Sequence, residues 1–180
     1  MPHARVTIKL VRANGFAANL RDNNRGFKPY EHPTIRLYNS KIDIAFNYYL
    51  WSEQENYYSF VNDGQTFKGG THLEATKKYL ATTICKRYGI ENNSKRVLYR
   101  ITLAVNVKIF KPVYESATKI NLVSEEIQTS DRWPITKEEK EELSYISIDS
   151  YVKEFISTEL NRYLDEHPET DKILRARFKY

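Results

Sequence analysis

Two glycines followed by a threonine and a histidine, Gly69 to His72, form the segment with the clearest capacity for chemistry. Glycines at the start of a helix expose backbone N–H groups, and such groups can bind a phosphate. The lysine followed by serine or threonine that completes a P-loop is absent from this segment. We therefore interpret the glycines as a tight turn between a strand and a helix, with Thr71 as the cap. His72 has no second histidine nearby, which favours a packed or hydrogen-bonded side chain over a metal ligand.

Basic side chains follow these glycines. Lys77, Lys78, Lys86 and Arg87 could contact nucleic-acid phosphates without reading base sequence, or they could form a solvated helix face. The formal net charge of +5 permits contact with a polyanion but is also common on soluble surfaces. Charge alone therefore leaves both interpretations open.

Other residue types exclude several kinds of site. The single cysteine, Cys85, rules out an internal disulfide and a cysteine-based zinc site, and we expect it to pack as a small apolar group. The tyrosines could stack on bases, but we expect them to fill a sheet. The N-terminus lacks the apolar run of a signal peptide, and no stretch is long enough to span a bilayer. We expect a cytoplasmic protein without a membrane partner.

Alternating apolar residues predict the strands. Residues 5–11 predict a strand with no partner near it in the sequence, which indicates that the chain is part of a longer one. Residues 41–50 place apolar side chains on one face and Lys41 on the other. Residues 56–62 follow a polar turn, so we expect these two strands to pair as an antiparallel hairpin. The longest alternation covers residues 97–109.

Helix signals lie between and after these strands. Thr71 and Glu74 have the spacing of a capping box, and Gly89 can supply a left-handed stop, which together predict a helix between them. Apolar residues at spacings of three and four predict a second helix over residues 148–164. We expect Pro168 to end or kink that helix before a last, basic one.

The order of these elements indicates the fold class. Strands, a crossover helix, a long strand and then helices are typical of an α+β domain with helices on one face of a mostly antiparallel sheet. The 180 residues suit one such domain, with or without a helical arm. Residues 128–142 are dense in lysine and glutamate, so we expect an exposed insertion that begins a helix.

Three segments resemble, in order and spacing, the transducer domain of the ATPase subunits of bacterial type II DNA topoisomerases, gyrase B and topoisomerase IV B. The first joins Tyr-Ser-Phe-Val-Asn at 58–62 to Gly-Gly-Thr-His-Leu at 69–73. The second is a long strand and loop over 101–122, with Pro-Val-Tyr-Glu-Ser-Ala-Thr-Lys at its turn. The third covers residues 163–173, including Pro168.

The resemblance implies a fold and a division of the chain. The fold would be like that of ribosomal protein S5 domain 2, with a left-handed crossover helix and a long C-terminal helix. Residues 1–33 would hold the last strand of the ATPase domain and a linker. Residues 34–167 would be the transducer domain, with an insertion over 128–145. Residues 168–180 would start the helix that leads to the DNA-cleavage core.

The resemblance also implies a nucleotide sensor in the loop of the second segment. Lys119 would reach the neighbouring ATPase domain, bind the γ-phosphate of ATP and assist catalysis, and Thr118 would also contact the nucleotide. Taken alone, Lys119 has the character of an ordinary solvent-facing lysine. The family's glutamine is replaced by Ala117 and a following lysine by Asn121, so a second polar contact to the nucleotide is missing.

Cofactors and partners are implied in the same way. The parent enzyme, an ATP-hydrolysing isomerase, would use ATP and Mg²⁺ held mainly by its ATPase domain, and this chain would bind no cofactor or metal alone. Lys77, with Lys78, Lys86 and Arg87, would face the transported double-stranded DNA. The parent would dimerise with ATP and act with the gyrase A or topoisomerase IV A subunit, which carries the DNA-cleaving tyrosine. We expect this chain alone neither to hydrolyse ATP nor to cut DNA.

Two alternatives remain open. The chain could be a free-standing nucleic-acid-binding module with an S5-like fold, which would bind DNA or RNA with a steep salt dependence. It could also be a topoisomerase-derived regulator that binds the intact enzyme. Neither alternative requires Lys119 to contact a nucleotide.

Overall fold

A computed structural model describes residues 33–48, 55–91 and 93–179. The strands are β1 (Ile35–Tyr38), β2 (Ile42–Tyr48), β3 (Asn56–Val61), β4 (Gly64–Gln65), β5 (Gly69–Gly70), β6 (Ile101–Val107), β7 (Asn121–Leu122), β8 (Glu126–Gln128) and β9 (Tyr145–Ser147). The helices are α1 (Thr71–Tyr88), α2 (Ser94–Leu98), α3 (Lys137–Glu141), α4 (Ile148–Glu166) and α5 (Pro168–Phe178). The predicted strand over residues 5–11 lies outside the described residues.

The main sheet has five strands in the order β1-β2-β6-β3-β4, which confirms an α+β domain with a mixed sheet. Three of its pairings are antiparallel, and β3 runs parallel to β6. The predicted hairpin between residues 41–50 and 56–62 is wrong, because β2 pairs with β6 along its whole length. All seven residues of β6 are uncharged and buried, so this strand takes the centre of the sheet.

The helices cover one face of the sheet with an apolar core. The core joins Ile44 and Phe46 of the sheet to Ile84 of α1 and Ile156 of α4, all fully buried. On the other face, Ala45 and Ala104 pack against Tyr58 in a much smaller apolar cluster. Because apolar volume is concentrated on one face, that face determines where the helices pack.

Helix α1 has the predicted bounds, and Gly89 ends it in the left-handed conformation (φ 64°). The predicted capping box is wrong. Gly70 is the cap residue, the hydroxyl of Thr71 donates to the carbonyl of Ser124 at 2.6 Å, and Glu74 pairs with a lysine one turn on. A tertiary hydrogen bond has replaced the local one that the spacing favours.

The long central strand begins later than its alternation predicts. Residues 94–98 form α2, because the side chain of Asn93 accepts a hydrogen bond from the backbone of Arg96 at 3.0 Å and caps that helix. Arg100 then adopts a positive φ of 62°, and β6 starts at Ile101. The predicted helix over residues 148–164 is confirmed by α4, and Pro168 occupies the first turn of α5.

The insertion is anchored at its base. Gln128, expected to be exposed, is buried in β8, where its side chain bonds the backbone of Lys108 and Phe110. Lys41, expected on the polar face, is also buried, and its ammonium donates to the carbonyl of Thr129. Helix α3 lies further along the insertion. A capping box stabilises its N-terminus, and none of its residues is buried. No helix in the described ranges is long and apolar enough to cross a bilayer.

Replacing Gly70 with alanine tests the contact between β5 and β7. Gly70 has a φ of 140°, and a β-carbon there would lie 2.5 Å from the carbonyl oxygen of Leu122. We expect Gly70→Ala to lower the free energy of unfolding by about 3 kcal/mol or more in urea denaturation. Gly89→Ala is the control, since a β-carbon there meets nothing within 4 Å and only backbone strain remains, about 1 kcal/mol. Equal losses in the two variants would contradict the close contact.

Candidate functional site

The lysine loop, residues 112–121, connects β6 to β7 and is closed at its base by backbone hydrogen bonds. Val123 donates to the carbonyl of Val113 at 2.9 Å, and Glu115 donates to that of Asn121 at 3.0 Å. Tyr114 forms an antiparallel bridge with Leu122. The loop is therefore a hairpin-like projection with a fixed base and an exposed tip.

Lys119 lies at the exposed tip of the lysine loop. Its backbone has a positive φ of 55°, uncommon for a residue with a side chain, and its N–H donates to the carbonyl of Ser116 at 3.0 Å. The hydroxyl of Thr118, also exposed, is 2.7 Å from that of Ser116. The Lys119 ammonium lies 6.0 Å from the ring centroid of Tyr114 and forms no ion pair with a carboxylate in the described ranges. An ammonium in this position can bind an anion without first giving up a carboxylate.

The base of the lysine loop is fastened to the start of α1. Strand β7 pairs in parallel with β5, so that Gly69 lies opposite Asn121 and Gly70 opposite Leu122. The backbone of Lys68 also donates to the carbonyl of Ile120 at 2.8 Å. The two glycines thus let β7 approach the helix start closely, as the interpretation of a tight strand-to-helix turn predicts.

His72 is fully buried at the start of α1. Its Nε2 lies 2.7 Å from the hydroxyl of Ser59, which lies 2.7 Å from the hydroxyl of Thr66. Burial disfavours the charged imidazolium and lowers the pKa of His72 to about 4. The described residues contain no cluster of three or more potential metal-binding side chains. His72 is therefore a neutral, hydrogen-bonded core residue.

The basic residues of α1 do not share one face. With 3.6 residues per turn, Lys78, Lys86 and Arg87 point roughly 100°, 180° and 280° around the helix from Lys77. Lys77 lies 3.2 Å from Glu74 and Lys78 lies 3.1 Å from Asp149, while Lys86 is exposed. A single flat DNA surface cannot contact all four, and their predicted role in DNA binding stays a prediction.

Arg87 joins three helices. Its guanidinium contacts Asp171 of α5 at 2.7 Å, and Asp165 at 2.8 Å and Asn161 at 3.1 Å, both of α4. Burial opposes its charge, but the hydrogen bonds to the two carboxylates outweigh burial and raise the pKa of Arg87. Burial opposes the charge of Asp171, but its hydrogen bonds from Arg87 and Tyr88 outweigh burial and lower its pKa. This geometry suits a structural role for Arg87.

A groove between α1 and α4, here called the α1–α4 groove, forms an open cavity of about 270 Å³. Lys86 lines it from α1, and Lys153, Ser157 and Asn161 line it from α4. Sequence reasoning missed Lys153. The signal was available, because residues 153, 157 and 161 recur every four positions and so lie on one helix stripe beside the apolar one.

Comparison with solved structures defines the class of the fold. The 43K ATPase domain of gyrase B from Thermus thermophilus, in complex with an aminocoumarin, matches 92% of this chain and 41% of its own with a TM-score of 0.62 at 18% identity. The gyrase B protein of Myxococcus xanthus matches 81% of this chain and 37% of its own with a TM-score of 0.51, also at 18% identity. This chain thus shares its fold with part of each of these two gyrase B structures.

The model of the DNA gyrase B family matches residues 15–132, and the chain belongs to that family. The DNA gyrase B protein of Clostridium acetobutylicum is 29% identical over 145 residues, covering 76% of this chain and 19% of the relative. The DNA gyrase B protein of Treponema pallidum is 32% identical over 120 residues, covering 58% of this chain and 19% of the relative. The chain spans about a fifth of the length of these two relatives.

The burial of His72 predicts a pH-dependent stability. Its folded pKa of about 4 lies below the ordinary 6.5, so the unfolded chain binds more protons as the pH falls. The stability contribution is complete above about pH 6.5 and decreases below it, by about 3 kcal/mol at pH 4. Urea denaturation across this range should show a weaker pH dependence for His72→Gln than for the wild type. His167→Gln is the control, and a His72→Gln curve parallel to the wild type would contradict the prediction.

Arg87→Gln tests the helix junction. Loss of the guanidinium leaves the buried side of Asp171 without its closest cation, so we expect a loss of about 2 kcal/mol in the free energy of unfolding. Lys86→Gln removes the same charge from an exposed neighbour and should change stability by less than about 0.5 kcal/mol. Chemical denaturation of both variants is the measurement. An unchanged stability for Arg87→Gln would argue against its structural role.

Proposed function

We propose that this chain is the transducer domain of a type II DNA topoisomerase ATPase subunit and that it senses bound nucleotide through Lys119. The observation that carries the proposal is the lysine loop: an exposed ammonium at its tip and a base paired with the start of α1. Membership of the gyrase B family supplies the context. The proposal includes an S5-like fold with a left-handed crossover through α1.

The chemistry of the sensor follows from the ammonium. Lys119 would bind the terminal phosphate of ATP held by an adjacent ATPase domain and would stabilise negative charge that develops there during hydrolysis. Thr118 would approach the same nucleotide once its hydroxyl turns away from Ser116. Ala117 cannot add the polar contact of the family's glutamine, so the amine carries more of the nucleotide contact in this chain.

The relay would use the elements to which the loop is fastened. A force on the loop reaches α1 through the β5–β7 pair and the hydrogen bond from Thr71 to Ser124. Helix α1 packs along α4 through the shared core and is tied to α4 and α5 by Arg87. A displacement of Lys119 would therefore move α4 and α5 as one unit, because packed helices shift together rather than deform.

The parent enzyme would be an isomerase that couples ATP hydrolysis to DNA strand passage. ATP and Mg²⁺ would be bound mainly by the ATPase domain, the parent would dimerise with ATP, and the A subunit of gyrase or topoisomerase IV would be its partner. The transported double-stranded DNA would pass near α1, where Lys78 could contact its phosphates together with either Lys77 or Lys86, since the last two point to opposite sides of the helix. Arg87 is less suited to that contact, since Asp165 and Asp171 neutralise it.

Replacing Lys119 with alanine in the full-length parent protein tests the sensor. We expect ATP-dependent strand passage to fall by about a hundredfold or more, because the terminal phosphate loses a charge-assisted contact in the transition state. Supercoiling or decatenation of plasmid DNA by the reconstituted enzyme, with ATP hydrolysis measured in parallel, gives the result.

The control for this experiment is Lys137→Ala, which removes another exposed lysine, from α3 in the insertion. It should leave strand passage unchanged. Lys119→Arg should retain part of the activity, since it keeps the charge but not the compact shape of the ammonium. Full strand passage by Lys119→Ala would refute the sensor.

A further inference from the structure

The α1–α4 groove carries positive charge that the fold does not use. Lys86 projects from α1 and Lys153 from α4, both are exposed, and both line the cavity of about 270 Å³. Neither ammonium forms an ion pair with a carboxylate in the part of the chain that the structure describes. Two unpaired cations on facing helices repel each other, so an anion between them would lower the energy of the site.

The carboxylates near the groove are already bound elsewhere. Asp165 and Asp171 contact Arg87, which lies at the wall of the groove. Asp149 accepts hydrogen bonds from Lys78 and from a tyrosine hydroxyl. Lys153 acts on Asp149 through its charge alone and forms no hydrogen bond or ion pair with it. The carboxylates therefore neutralise Arg87 and Lys78 and leave the two groove lysines available.

Neutral polar groups line the space between the lysines. The hydroxyl of Thr82 donates to the carbonyl of Lys78 at 2.8 Å, and that of Ser157 donates to the carbonyl of Glu154 at 3.0 Å. Both bonds are local helix contacts, and rotation about one side-chain bond re-aims a hydroxyl. Hydroxyl and ammonium donors together suit a tetrahedral oxyanion with several acceptor oxygens.

We propose that the α1–α4 groove binds a phosphate group between the ammonium groups of Lys86 and Lys153, with Thr82 and Ser157 as neutral donors. The phosphate could belong to a free phosphorylated small molecule or to a DNA backbone, and the chemistry of recognition is the same for both. A bound phosphate bridges α1 and α4 and stiffens their contact. This mechanical consequence and the contact of Lys86 with a DNA backbone rest on the proposed transducer function; binding of a free phosphorylated molecule does not.

The test uses the full 180-residue chain and two probes, inorganic pyrophosphate and a short fluorescein-labelled DNA duplex. Calorimetry measures the first affinity and fluorescence anisotropy the second. The double variant Lys86→Gln/Lys153→Gln should weaken binding of at least one probe about tenfold or more. Lys137→Gln/Lys140→Gln, on α3, lowers the net charge equally and should change either affinity by less than about twofold.

The two probes identify the source of the phosphate. If Lys86→Gln/Lys153→Gln, here called the groove variant, binds pyrophosphate more weakly than the wild type but binds the duplex equally well, the ligand is a free phosphorylated molecule. Weaker duplex binding in the groove variant assigns DNA. Equal weakening in both double variants, or no binding of either probe by the wild type, overturns the proposal. Either result is separate from the activity of Lys119→Ala, because neither groove lysine lies on the lysine loop.

Discussion

Gly70 and Leu122 pack backbone against backbone, and a side chain on the glycine would overlap the carbonyl of Leu122. This contact holds the parallel pair β5–β7, which joins the base of an exposed loop to the first turn of α1. An exposed loop has no core of its own, so its tip keeps a defined position only through such a base. The placement of Lys119 relative to the helices therefore depends on two glycines with positive φ.

The guanidinium of Arg87 performs the corresponding role at the other end of α1. It contacts two aspartates and one asparagine on α4 and α5. Against the effect of burial, the two aspartates raise the pKa of Arg87 and so favour its charged form. Both ends of the helix are thereby attached to separate elements, one by close backbone packing and the other by charge. Between them, the apolar core holds α1 against the sheet and α4. Helix α1 is thus the element that contacts both the base of the lysine loop and the two C-terminal helices.

Regular periodicity was sufficient to predict the major elements. The extent of α4 follows from apolar spacing, and the end of α1 at Gly89 and the break at Pro168 follow from residues whose backbone preferences are strong. The strand partners did not follow. β2 and β3 are neighbours in sequence, yet each pairs with β6, because a wholly uncharged strand is most stable at the centre of the sheet. Predictions from local pattern were also wrong for groups whose partners are distant in sequence. Thr71, for example, donates to the carbonyl of Ser124 and does not cap its own helix.

The sequence by itself determined the long C-terminal helix, the central strand and the family resemblance, since these depend on residue types and their spacing along the chain. Only the tertiary structure decided which cations are paired, as at Arg87, and which remain available, as at Lys119, Lys86 and Lys153. It also buried Lys41 under the insertion, although the charge of that residue is typical of a surface position. The physical reason is that electrostatic neutralisation depends on distance in space, and segments far apart in the chain set that distance.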